Sequence, residues 1–284
     1  MITKNVMQLK AFVKKKAIEN QISQQLVMQN YILERFLERI SLSKYNRNFI
    51  LKGGFLIAAI VGLDTRATMD MDTTVKGLTL THGSLQKVFE EICAIVVDDN
   101  INFTVSLITN IREGDEYNGL RVHLIGSYQQ LAVTIKVDVT TGDKITPKEI
   151  EYSYKTLFDE GSIPILAYNL ETIIAEKLET VLSRNIANTR PRDFYDIHIL
   201  CNLRKTEYDV NILQNALNAT ATKRGSISII PDYHETVNSI RNSAQMQKFW
   251  IVYQDEFSYA KNIEFSETCD TIIKIMDNCY LDSV

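Results

Sequence analysis

Cysteine is scarce in this 284-residue chain and is poorly placed for cross-linking: Cys93, Cys201, Cys269 and Cys279 form no CxxC pair, and no histidine cluster lies near them. That spacing argues against structural zinc and makes reduced thiols in a cytoplasmic setting the default. No run of about 18 apolar residues occurs, so no membrane-spanning helix is expected. The opening segment MITKNVMQLKAFVKKKAIEN lacks an unbroken apolar region and a small-residue cleavage site, so no export signal is expected either. One sign of charge does not dominate. The 31 Lys and Arg face 35 Asp and Glu for a net charge of -4, so any nucleic acid must be held by local basic patches rather than by the field of the whole molecule. Internal repeats and low-complexity segments are also missing.

What remains is an ordinary globular composition. With 45% hydrophobic and 23% charged residues, the chain can bury a sizeable core as one large domain or two moderate ones. Apolar residues recur at three- and four-residue spacing from about Val6 to Asn20 and from Ser23 to about Lys44, which predicts two amphipathic helices with Ser23 as an N-cap. NFILKGGFLIAAIVGL reads as a strand, a tight turn at Gly53-Gly54 and a helix start. RATMDMDTTV follows as a strand, and THGSLQKVFEEICAIVVDD as a helix capped by Thr81 or Ser84. NFTVSLITNIR, GLRVHLIGSY and LAVTIKVDVTTG alternate as an antiparallel meander.

From about Asn169 the pattern turns helical: LETIIAEKLETVLSR, PRDFYDIHILCNL, a segment near VNILQNALNATATK, and two more in QMQKFWIVYQDEFSYA and CDTIIKIMDNCYL. Pro191 suits the first turn of its helix. The fold class expected is α+β. Residues 1–160 would hold the N-terminal helices and a mixed sheet, residues 161–284 a mainly helical domain, and the active site would lie between them. The boundary falls near DEGSIPILAY, with Ile163 to Ala167 open to a strand reading.

The chemistry concentrates in three places. Gly53 and Gly54 stand at a strand-to-helix turn, where backbone without Cβ can approach phosphate oxygens and offer N–H donors. Asp70 and Asp72 are two apart on a strand and therefore share a face. A third carboxylate, Asp138, sits between Val137 and Val139 in a strand suited to burial. Three carboxylates on adjacent strands suit Mg²⁺, which takes oxygen ligands and keeps positions for water and substrate phosphates. Such a site activates an attacking hydroxyl and offsets charge on the transferred phosphorus. Lys136 shares the face of Asp138 and is the cation that would pair with it in a purely structural role. Arg66 and Thr68, on one face with Asp70 if the backbone is extended, are candidates to meet a carboxylate or a phosphate oxygen.

The order of LKGG, RATMDMD and IKVDV resembles the minimal nucleotidyltransferases of the DNA polymerase β superfamily. The continuation NLETIIAEKLETVLSRNIANTRPRDFYDIHIL resembles the AbiEii/AbiGii toxin family, and the likeness runs from about Phe49 to Leu203. The resemblance implies that Gly53 and Gly54 cradle a triphosphate, that Asp70, Asp72 and Asp138 are the acidic metal residues, and that Lys177 is the functional lysine. It also matches Arg192, Asp193 and Asp196 to the last acidic motif. Gly54 stands where a Ser is common elsewhere in the superfamily, and 15 residues separate it from Asp70, more than in shorter members.

Helical spacing adds a reading of its own. Lys177, Thr180 and Arg184 are three and four apart, a cationic face suited to a triphosphate, while Asp193 and Asp196 share a face near Arg192. Without the resemblance, that acidic pair reads as a solvated charged face. Lys14-Lys15-Lys16, Arg190 with Arg192, and Lys223-Arg224 are candidate contacts for an RNA backbone. His82, His123, His198 and His234 show no ligand or triad spacing.

The function implied is the toxin of a bacterial toxin–antitoxin pair linked to abortive phage infection. It would be a Mg²⁺-dependent nucleotidyltransferase moving a nucleoside monophosphate from an NTP, GTP or CTP, onto an acceptor hydroxyl. The acceptor end of tRNA is the expected acceptor, and the cognate antitoxin is expected to act as a transcriptional repressor. The alternatives are a nucleotidyltransferase that modifies a small molecule or a protein, and a degenerate fold that binds NTP or RNA without catalysis.

Overall fold

The computed structural model describes residues 5–111 and 119–280. Arg112 and Leu281, the last residues of two expected elements, lie outside the described residues. The chain divides into two compact units, Met1–Asp143 with Ile150–Ala167, and Lys144–Glu149 with Tyr168–Val284.

The first unit is built on α1 (Val6–Glu19), α2 (Gln24–Leu42), β1 (Phe49–Lys52), α3 (Gly53–Val61), β2 (Asp70–Val75), α4 (His82–Cys93), β3 (Asn102–Asn110), β4 (Leu120–Tyr128), β5 (Leu131–Thr141), β6 (Ile150–Lys155) and β7 (Ser162–Ala167). Its seven strands form one mixed sheet in the order β3-β4-β5-β2-β1-β7-β6. The β2–β5 and β1–β7 pairs are parallel, and the other four are antiparallel. The α+β class expected from the sequence is thus the one observed, and β3, β4 and β5 form the expected meander.

The caps follow the side-chain chemistry. Leu26 N–H donates to Ser23 Oγ at the start of α2, and Thr81 and Ser84 close a reciprocal capping box on α4. Helices α2 and α4 cover one face of the sheet, where Phe36 of α2 meets Phe89 of α4 at 5.6 Å and Phe103 of β3 at 5.3 Å. A Cβ on Gly126 of β4 would stand 2.6 Å from Ile32 Cγ2, so the approach of α2 to β4 depends on that glycine. Arg39 of α2 makes a buried two-pronged pair with Asp99 at 2.8 and 2.9 Å and also donates to the Ile101 carbonyl, which ties α2 to the start of β3.

Two features of this unit depart from the sequence reading. Strand β6 was not expected: IEYSYK is an edge strand with five of its six residues at least partly exposed, so it lacks the apolar alternation that marks a strand. Strand β2 begins at Asp70, and residues 66–69 precede it. Side-chain amides hold that segment in place of a strand partner: Asn30 Nδ2 donates to the Thr68 carbonyl at 2.7 Å and Gln29 Nε2 to the Met69 carbonyl at 3.0 Å.

The second unit contains α5 (Leu170–Arg184), α6 (Pro191–Leu203), α7 (Val210–Lys223), α8 (Tyr233–Arg241), α9 (Ala244–Glu256) and α10 (Phe265–Tyr280). Helix α5 packs against α6 and α7 through a buried face that includes Ile174, Leu178 and Val181, and α10 packs against α6, α7 and α8. Pro191 opens α6, as expected. Helix α8 was not expected, because its nine residues carry only Tyr233, Val237 and Ile240 to the core. Trp250 and Tyr253 of α9 are buried. Among the described residues no helix is long and apolar enough to cross a membrane, and all four cysteines are free.

Candidate active site

In the sheet unit the register sets four charged residues abreast. Lys52 of β1 pairs with Asp72 of β2, Asp72 with Asp138 of β5, and Asp138 with Arg121 of β4. One pair along on the same face, Asp70 lies opposite Lys136, and Lys136 opposite His123. The intervening residues Met71, Val137 and Val122 are buried on the other face. The row therefore reads cation, carboxylate, carboxylate, cation, with Asp70 beside it.

The Gly-Gly turn closes against this row. Gly53 has φ +63, and a Cβ there would stand 2.2 Å from Asp72 Oδ2, so both the backbone and the neighbouring carboxylate require glycine. Gly54 N–H, in the first turn of α3, donates to Asp72 Oδ2 at 3.1 Å. A Cβ on Gly54 would meet Thr68 Oγ1 at 3.0 Å and Arg66 Nη2 at 3.2 Å. Arg66, Thr68, Gly54 and Asp72 are thus gathered at one helix N-terminus, where backbone donors and the helix dipole favour an anion. Arg66 is buried and its Nη1 also donates to the Ala67 carbonyl.

Asp138 is not held by Lys136. Arg121 Nε donates to its Oδ1 at 2.7 Å and Arg121 Nη2 to its Oδ2 at 2.8 Å, a bidentate pair that occupies both oxygens. These hydrogen bonds raise the Arg121 pKa against the opposing effect of burial, and the charges of Asp138, Asp70 and Asp72 raise it further. Sequence reasoning missed Arg121. Its one local signal is an arginine at a polar position of the alternating strand GLRVHLIGSY, which does not say what it faces.

At the other end of the row, Lys52 Nζ lies 2.5 Å from Asp143 Oδ2, which also accepts from Thr140 Oγ1 at 2.7 Å. Burial would push the Asp143 carboxyl up, but Lys52 and the Thr140 and Thr74 hydroxyls outweigh it and bring the pKa from 3.8 down to about 2. A folded-state value below the unfolded one adds stability above pH 4, and that stability is lost as pH falls towards 2. Asp143→Asn is therefore expected to cost about 2 kcal/mol at neutral pH in urea unfolding, with the gap to the parent protein closing by pH 2. A gap of constant size from pH 7 to pH 2 would refute this account.

In the helical unit, Lys177 of α5 bridges two carboxylates of α6. Its Nζ lies 2.5 Å from Asp193 Oδ1 and 2.9 Å from Asp196 Oδ2. Both aspartates are buried, at 1% and 0% exposure, so the solvated acidic face considered from sequence is not what forms. The cationic face expected along α5 is modified as well. Lys177 is turned to its acidic partners, and the Thr180 hydroxyl donates to the Glu176 carbonyl while accepting from Arg224 Nη1 at 3.2 Å. Arg224 also pairs with buried Glu179, which ties it to the protein. Arg184 is partly exposed at the end of α5, and Arg190 and Arg192 are exposed. Lys14 and Lys15 are exposed on α1, with Lys15 3.8 Å from Glu19.

Among the described residues no three His, Cys, Asp or Glu side chains stand close enough together to hold a metal ion. The donor chemistry still fits a hard divalent cation, because Asp70 and Asp72 present two carboxylates on one face beside a turn that no Cβ can fill.

The sequence profile of the nucleotidyl transferase AbiEii toxin family, type IV TA system, matches residues 35–270. Among solved structures, a candidate nucleotidyltransferase from H. pylori is similar at 14% identity and a TM-score of 0.52, covering 92% of this chain and 97% of its own. JHP933 from Helicobacter pylori follows at 15% identity and 0.49, with 92% and 96% covered. An antigenic nucleotidyltransferase-like protein from Paracoccidioides brasiliensis has 14% identity and 0.38, with 72% and 93% covered. Comparison with the curated proteins gives no match. At these identities the first neighbour speaks for the fold alone, and the fold it speaks for is that of the nucleotidyltransferases.

Proposed function

Because the chain belongs to the AbiEii nucleotidyltransferase toxins of type IV toxin–antitoxin systems, we propose that it moves a nucleoside monophosphate from an NTP, GTP or CTP, onto a hydroxyl at the acceptor end of tRNA. The acceptor oxygen attacks the α-phosphorus, the bond to pyrophosphate breaks, and the hydroxyl proton leaves. Asp70 and Asp72 hold Mg²⁺ in this reading, with Asp138 as the third acidic residue. Mg²⁺ supplies Lewis-acid stabilisation of the charge that develops on the transferred phosphoryl group and the leaving pyrophosphate. The chain's own part is to bind and orient. The turn at Gly53-Gly54 approaches the triphosphate with backbone donors, and Arg66, Thr68 and Lys136 contact its oxygens. Within the helical unit, Lys177, fixed by Asp193 and Asp196, is assigned as the functional lysine, with Arg184 and Arg192 as candidate phosphate contacts. A cytoplasmic toxin that blocks translation in this way serves abortive infection, and a cognate antitoxin restrains it mainly by repressing transcription.

The observation that carries the reading is the convergence on Asp72, which lies in register with Asp138, accepts the Gly54 N–H, and is approached so closely by Gly53 that a Cβ there would collide with it. The test is incubation of purified protein with each labelled NTP, Mg²⁺ and total tRNA. Label on tRNA is expected, with GTP or CTP as the better donor. Label only on protein or on a small acceptor would replace the acceptor assignment, and no transfer despite NTP binding would mark a degenerate fold.

A further inference from the structure

Asp138 lies in register with Asp72, so two like charges stand side by side in the middle of the sheet. Its side chain is 12% exposed, and a carboxylate so placed is costly unless a cation accompanies it. Arg121 is that cation, and its two-pronged grip at 2.7 and 2.8 Å engages both carboxylate oxygens and sets a full positive charge against them. Arg121 itself is 31% exposed, so the guanidinium is the half of the pair that can leave for water or for an anion without breaking the core. The other cation of the row is held differently. Lys52 is tied to Asp143 and Asp143 in turn to Thr140, and both charged side chains are only 13% exposed.

We propose that Arg121 is a latch on Asp138: it keeps this carboxylate out of cation binding until a divalent cation displaces it, and the released guanidinium is then available to a phosphate. The latch rests on the divalent-cation reading of the same site. In this arrangement, the row is charge-balanced before the cation arrives, which keeps Asp72 and Asp138 in register despite their repulsion. Exchange of the guanidinium for the divalent cation adds one positive charge to the row, which Asp70 beside it offsets, and frees a planar, always-charged donor fork suited to phosphate oxygens. Arg121 is a positioning residue in this scheme, because in the resting structure it acts on the site through Asp138.

A double-mutant cycle on Mn²⁺ affinity tests the latch without measuring transfer, for example from the spectral signal of free Mn²⁺. Arg121→Ala should bind Mn²⁺ about tenfold more tightly than the parent protein, since the competitor for Asp138 is gone. In an Asp138→Asn background the same change should give no gain. A gain that persists in that background would mean that Arg121 acts only through its general field, and no gain in either background would mean that it does not compete at all; each overturns the latch. Asp70→Asn and Asp72→Asn serve as the control on the underlying reading. If they abolish Mn²⁺ binding while the cycle shows no coupling, the metal assignment stands and the latch alone falls, whereas absence of binding in every variant overturns both. Should Arg121→Ala fail to fold, Arg121→Gln carries the same cycle.

Discussion

Asp72→Asn and Asp70→Asn should each lower nucleotidyl transfer by about three orders of magnitude, near 4 kcal/mol of transition-state stabilisation, and leave the melting temperature unchanged or raised. The two halves of that expectation have separate physical sources. The loss follows from the proposed role of the pair in holding Mg²⁺, because an amide oxygen is a much weaker ligand than a carboxylate and carries no charge against the cation. The retained stability follows from the register, in which Asp72 faces Asp138 across a strand pair and shares its face with Asp70. Neutralising one member of a like-charged group removes repulsion. An asparagine at position 72 can also keep accepting the Gly54 N–H, now at 3.1 Å, so the start of α3 is preserved. Transfer assays on the two variants, with thermal melts of the same samples, check both halves. Retained transfer in either variant would remove the metal assignment, and loss of transfer together with the fold would leave the pair a structural role only.

The parts of this site that are local in sequence could be read from it, and the parts that depend on register could not. Asp70 and Asp72 share a face because strand side chains repeat every two residues, and Gly53-Gly54 marks a turn because glycine tolerates positive φ. Asp193 and Asp196 meet one lysine because helix residues three apart lie together. Each of these follows from the geometry of a single element. The opposition of Asp72 and Asp138 requires knowing that β2 pairs in parallel with β5, 65 residues away in sequence for the Thr73–Asp138 contact. A slip of one residue would turn every carboxylate to the other face. The choice of Arg121 over Lys136 as the partner of Asp138 is of the same kind. Lys136 is two residues from Asp138 and visible at once, whereas Arg121 reaches it only because β4 and β5 pair with those two residues opposite. Strand β6 and helix α8 escaped notice for a simpler reason, since one is an exposed edge and the other buries three side chains.

Burial is the other quantity that sequence spacing conceals, and it sets the largest stability effect expected here. Lys177→Ala should destabilise the protein by about 3–5 kcal/mol, because it strands two carboxylates in a place where water does not reach them. Asp193 is the more exposed to this loss in the energetic sense: its Oδ2 is buried with no hydrogen-bond partner among the described residues, so its Oδ1 contact with Lys177 at 2.5 Å carries the compensation. The same variant should lose nucleotidyl transfer, but that loss alone would not separate a functional lysine from a structural one. The separation comes from the triple variant Lys177→Met, Asp193→Asn, Asp196→Asn, which removes the charges together. Replacing a buried ionic group by neutral residues of similar volume is often neutral or stabilising, so urea unfolding of the triple variant should return most of the lost stability. Transfer should stay absent, since the lysine assigned as functional is gone. A triple variant that recovers both stability and transfer would reduce the cluster to a packing device. If the single variant unfolds at the same urea concentration as the parent, the two aspartates do not depend on Lys177 at all, and the buried bridge between α5 and α6 contributes nothing to the helical unit.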